Sequence, residues 1–143
     1  MSDNKITLSI VPQNERFSFL PSMFGNKSFM EGEAMVYNYM SRFCAEYTGG
    51  YWKYARLSNG GCVMLPEMEE KHVRFIVADN FHESMMTPEA AGIVCCLYVL
   101  SYLSFALYEK NPDDCELVSE HYHQLRDFAL EHPERELILE AID

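Results

Sequence analysis

Basic residues are scarce in this chain. Eleven lysines and arginines stand against twenty-two acids in 143 residues, a formal net charge of −11. A chain so anionic repels phosphate backbones and acidic lipid headgroups, so no direct binding to nucleic acid or to a membrane is expected. Cysteine pairs with scaffold spacing are missing as well. The five cysteines, Cys44, Cys62, Cys95, Cys96 and Cys115, are odd in number, which points to reduced cytoplasmic thiols and not to a disulfide framework. The opening "MSDNKITLSIVPQNERF" lacks the charged-then-apolar order of a secretory signal, so a cytoplasmic location is expected. Repeats, low-complexity tracts and linkers are absent too, and the whole of 1–143 reads as a single domain.

Hydrophobic residues make up 48% and aromatics 13%, a globular composition with enough apolar mass for a real core. Charge is unevenly placed. From Glu109 to Asp143 there are eleven acids but only Lys110, Arg126 and Arg135 as bases. Such an acidic third can meet a basic partner surface, or it can be the solvated faces of helices.

Element signals alternate along the chain. "KITLSIVP" places Ile6, Leu8 and Ile10 at period two, a strand ended by Pro12. "RFSFLPSMFGNKS" reads as an aromatic connection broken by Pro21 and Gly25. Ser28 and Glu31 have capping-box spacing, and the apolar positions beyond predict a helix from Met30 to Tyr47 closed by Gly49. "YWKYARL" then reads as a strand, "SNGG" as a hairpin turn, "CVMLP" as the returning strand and "HVRFIVA" as a third. Thr87 and Pro88 start a helix in which Ala90 to Tyr108 carries no charge. Gly92, its serines and tyrosines, and the want of basic flanks favour a central buried helix over a membrane span. Two more helices follow, Asp113 to Leu130 with Leu117, Tyr122, Leu125 and Phe128 inward, and Pro133 to Ile142. The expected fold is α+β: a small antiparallel sheet of three to four strands with a glycine-turn hairpin, packed against about four helices.

Motifs for catalysis do not emerge. The glycines of "GGYWKYARLSNGGC" lead into strands, whereas a phosphate-binding loop runs through Lys-Ser or Lys-Thr into a helix. His121 and His123 of "HYHQLRD" are two apart on a helix and point to different sides, so they make no metal pair. Cys95 and Cys96 lie in the most apolar helix, where a thiolate is disfavoured, and neither Cys44 nor Cys62 has a histidine near it in sequence. A Gly-x-Ser-x-Gly elbow is missing, and no carboxylate pair stands out. No catalytic residue, cofactor or metal is therefore expected.

The segments "RFSFLPSMFG", "GEAMVYNYMSRFCAEYTGGYWKYARLSNGGCVMLP", "TPEAAGIVCCLYVLSYL" and "HYHQLRDFALEHPE…AID" resemble, in that order, the ArdB/KlcA antirestriction proteins. The resemblance runs from about Arg16 to Asp143, and "GGYW…LSNGG…P", "LRDFALEHPE" and the closing "AID" are its most specific parts. Where such proteins commonly carry an aromatic after the Asn-Gly-Gly turn, this chain has Cys62 and Val63. The resemblance implies a small cytoplasmic protein of plasmids or other mobile elements that relieves type I restriction of incoming unmodified DNA. It implies no cofactor and no catalytic residues. The partner would be a type I restriction enzyme or a host factor that controls it.

Two other functions compete with that reading. One is a DNA mimic built on the acidic third. About 50 Å of helix would face a length of duplex bearing roughly thirty phosphate charges, so eleven acids make a weak mimic. The other is an enzyme whose thiol or carboxylates are assembled only by the fold. For a partner surface, the expectation is the hairpin around Trp52, Arg56, Ser58 and Asn59 together with the acidic helix near Glu116, Glu120 and Asp127.

Overall fold

A computed structural model describes residues 5–143. Its order is β1 (Leu8–Ile10), α1 (Arg16–Phe24), α2 (Phe29–Phe43), β2 (Trp52–Leu57), β3 (Cys62–Pro66), β4 (Val73–Val77), β5 (His82–Met86), α3 (Pro88–Ala106), α4 (Pro112–Leu130) and α5 (Arg135–Ile142). The strands form two antiparallel sheets, β1-β2-β3 and β4-β5, so "HVRFIVA" pairs forward with β5 and not back onto β3. "HESMM" announces β5 weakly: of its two buried ends only Met86 is apolar, and the other is His82, which no apolar count detects.

Helix α3 is the axis of the molecule. Thr87 accepts the Ala90 N–H as its cap, Pro88 fills the first turn, and eleven of nineteen residues are buried. Its contacts run to α2, α4, α5 and β3. Gly92 lets it lie directly on β3, because a Cβ there would sit 2.7 Å from Pro66 and 2.8 Å from the Met64 carbonyl. Among the described residues α3 is the one helix long and apolar enough to cross a bilayer, and 61% of its most apolar stretch is inside the protein.

The ends and caps of the helices differ from the sequence reading in several places. "RFSFLPSMF" is helix α1, which tolerates Pro21 and ends at Gly25, whose N–H bonds the Pro21 carbonyl at 2.8 Å. Phe19 and Met23, one turn apart, are both fully buried and hold it to the core. Helix α2 stops at Phe43; Cys44 is already extended, and Gly49 and Gly50 take their positive φ in the loop beyond. Ser28 caps nothing: its hydroxyl donates to the buried Asp114 carboxylate at 2.9 Å, joining α2 to α4. Asn111, and not Asp113, caps α4 by accepting the Asp114 N–H. The face α4 buries is Val118, His121, Leu125 and Ala129, with Leu117, Tyr122 and Phe128 half-covered.

Candidate interaction surface

Strands β2 and β3 pair up to Arg56 opposite Cys62 and are joined through Ser58, Asn59 and Gly60. Gly60 has φ +97°, the left-handed residue that closes a three-residue hairpin, and its N–H bonds the Leu57 carbonyl at 2.9 Å. The Asn59 side chain accepts the Gly61 N–H at 3.1 Å and donates to the Gln124 carbonyl at 2.9 Å. In return Gln124 Nε2 donates to the Asn59 carbonyl at 3.0 Å. The turn is thus clasped to α4 from both sides. Ser58 serves the other neighbour: its N–H donates to the Thr7 carbonyl and its hydroxyl accepts the Thr7 N–H, each at 2.9 Å.

Helical spacing puts Glu116, Glu120, Gln124 and Asp127 on one stripe of α4, and the three acids are exposed. The clasp at Gln124 therefore joins the two regions expected to meet a partner, with Glu116 and Glu120 on one side of the turn and Asp127 on the other. Gln124 is absent from the residues that the sequence singles out for a partner. Its hydrogen bonds bridge sixty-five positions, and no local signal carries that information.

The other hairpin residues stand differently. Trp52 is 2% exposed; its indole N–H donates to the Tyr47 hydroxyl at 2.9 Å, and its ring lies between Tyr37 and Tyr47. It supports the strand from inside and offers no surface. Arg56 is half-buried, with its guanidinium 5.3 Å from the Phe19 ring and 3.1 Å from the Ser22 hydroxyl. Phe19 in turn stacks on Tyr54 at 4.6 Å, so Arg56 is the polar lid of an aromatic stack. Ser58 and Asn59 are the residues of this group that reach the turn's surface.

The thiols are set against nucleophilic chemistry. Burial pushes Cys62 up to about 11 even with Arg56 beside it, and Cys96 up to about 12. Burial also raises Cys95 and Cys44. His121 is buried, donating from Nδ1 to the Met23 carbonyl at 2.9 Å, while His123 is exposed. No group of three or more metal-binding side chains gathers among the described residues.

One constellation has the connectivity of a hydrolase. His82 donates from Nδ1 to Glu140 at 2.7 Å, and its Nε2 accepts the Ser84 hydroxyl at 2.7 Å. Acyl transfer also needs a cleft and oxyanion donors beside the serine. The His82 side chain has no exposed surface, and none of the cavities between α2 and β4, over β3, or beside His132 is lined by Ser84. The arrangement satisfies a buried imidazole and ties α5 to β5.

Comparison with known proteins follows the same outline. The chain is 38% identical over 141 residues to antirestriction protein KlcA of Escherichia coli, covering 99% of this chain and 97% of that one. It is 32% identical over 143 residues to the putative antirestriction protein YubI of E. coli K12, with 96% of each covered. A solved structure superposes over 100% of both chains with a TM-score of 0.87 at 36% identity. It comes from work on the KlcA and ArdB proteins describing a novel fold and antirestriction activity against type I DNA restriction systems in vivo but not in vitro. The family described as antirestriction protein matches residues 45–143, the stretch that holds the hairpin, its clasp and the central helix. This chain belongs to the antirestriction protein family.

Proposed function

We propose that this protein relieves type I restriction of incoming unmodified DNA by binding, without catalysis, the restriction machinery or a host factor that governs it. The observation that carries the reading is the full-length match to a structure whose study reports that activity in vivo. The absence of activity in vitro in that study suits a protein that needs a component of the cell, and it does not suit a simple DNA mimic that would occupy a purified enzyme. Raised thiol pKa values and a pocketless His82 support binding over chemistry. The cytoplasm is the site of action.

The contact surface is the stripe of Glu116, Glu120 and Asp127 with Ser58 and Asn59 beside it, Arg56 and Trp52 shaping the strand beneath. The test is the plating efficiency of unmodified phage on cells with a type I system, with and without the protein, and on cells lacking restriction. Plating rises by orders of magnitude in restricting cells alone. Unchanged plating with soluble, folded protein overturns the proposal.

A further inference from the structure

The two sheets have edges of different character. The outer edge of β1 is only Leu8–Ile10 long and is closed by Pro12, which has no N–H to offer. Strand β4 is five residues and pairs on one side only, with β5. Its Arg74 N–H turns away from β5 and donates to Glu46 Oε1 at 2.8 Å. By the alternation of an antiparallel ladder, the N–H and C=O of Ile76 point to that same side. Neither is bonded by another element among the described residues.

A cavity of about 520 Å³ lies along this edge, within the size range of sites that hold ligands. The end of α2 and the start of the β4–β5 turn form its walls, with Tyr39, Arg42, Phe43, Ile76, Asp79 and Tyr98 among the lining. Tyr39, Phe43 and Tyr98 are mutual neighbours, their ring centres 5.3 to 5.5 Å apart. Arg42 is exposed, its guanidinium 5.6 Å from the Tyr39 ring, and it has no ion-pair partner among the described residues. An aromatic floor, an unpaired cation and the open backbone N–H and C=O of Ile76 thus share one groove.

We propose that the free edge of β4 takes up an extended peptide segment of a partner protein as an added strand. Its backbone bonds to Ile76, one apolar side chain sits on Tyr39, Phe43 and Tyr98, and one carboxylate faces Arg42. Backbone pairing supplies affinity in this mode, and alternate side chains supply selectivity. The Glu46 carboxylate already stands where a strand's carbonyl would, on the neighbouring outward N–H. Proteins shield open edges with outward charge, as the Arg74–Glu83 pair does here, yet the next outward side chain is the apolar Ile76. Asp79 sets the remaining preference: the peptide position beside it is uncharged or basic. This groove shares no residue with the Asn59–Gln124 surface, and its occupancy does not depend on the antirestriction reading.

A random peptide library displayed on phage and selected on the immobilised full chain tests the inference, with enriched peptides measured by fluorescence polarisation. Enriched sequences alternate apolar residues around at least one acid. Ile76→Pro, which removes the edge donor, weakens them by about tenfold or more. Arg42→Glu weakens them to a similar extent, and replacing the peptide acid by lysine restores binding to that variant. If Ile76→Pro loses its circular dichroism spectrum, the charge swap at Arg42 decides alone. Absence of enriched peptides, or peptides that bind both variants as tightly as the parent chain, overturns the proposal.

Discussion

The β2–β3 and β4–β5 hairpins solve one problem in opposite ways. The first is covered: every residue of β3 is buried, and β2 leaves only Lys53 and Arg56 half-exposed. Its turn uses Gly60 and is clasped to α4. The second alternates, with Val73, Phe75 and Val77 inward and Arg74 and Ile76 in solvent. Its turn has no glycine, so Phe81 takes φ +54° and is 97% exposed, and Asn80 anchors the turn to Tyr98 and the Ala141 carbonyl. A hairpin locked on both faces can serve as a scaffold. One with a bare edge and a strained, solvated turn keeps binding capacity in reserve.

The harshest test strikes the helix both hairpins depend on. Leu100 has no exposed surface, so Leu100→Asp buries an unpaired charge and the chain is unfolded at room temperature by circular dichroism; an unchanged melting temperature would remove α3 from the core. At the turns the two hairpins should respond with opposite signs. Gly60→Val forces a β-branched residue to positive φ, with its Cβ 2.9 Å from Gln124, and costs about 2–3 kcal/mol in urea titration. Phe81→Gly relieves the same backbone strain, loses no packing, and stabilises by about 0.5–1 kcal/mol. A loss at Phe81 would mean that the exposed ring is held by a contact.

Smaller effects sharpen the contrast. Asn59→Ala removes one half of the clasp, costing about 1 kcal/mol, and lowers phage plating in restricting cells more than that loss of stability explains. Activity equal to the parent's would place the partner surface elsewhere. The gentlest is a pH effect at the base of α3. The His132 hydrogen bond holds the Glu89 carboxyl below its ordinary value of 4.5. Because the folded value is the lower one, the stabilisation is complete above pH 4.5 and fades as pH falls through that lowered value. Glu89→Gln therefore lowers stability slightly at neutral pH and leaves the acid end, where the parent's carboxyl is already protonated, nearly unchanged, so the acid limb flattens in melting curves at stepped pH.

What could be read in the sequence follows from the range of the interactions. Capping of α3 by Thr87, its uncharged run and the Asn-Gly-Gly turn are local chemistry, and each holds in the structure. Pro21 concealed α1, because a lone proline outweighs the helical pairing of Phe19 with Met23 unless the core that receives them is known. Strand β5 stayed hidden because His82 occupies an inward position by bonding to Glu140, fifty-eight residues away. The exposed acids of the candidate surface were legible as charges. Their union with the hairpin was not, since Gln124 and Asn59 meet only through the tertiary fold.

The turn between α4 and α5 governs the start of α3. Glu134 receives both the N–H and the hydroxyl of Thr87, and His132 holds Glu89 in the first turn of that helix. During synthesis the first turn of the apolar helix therefore leaves the ribosome more than forty residues ahead of its own clamps, and Glu131, which binds the Ile6 N–H, emerges just as late. Until α4 and α5 arrive, α3 has α2 and β3 to pack on, and its remaining apolar surface is bare. Exposed apolar surface of that kind favours aggregation, and slowed translation near the codon for Glu134 would lengthen the interval.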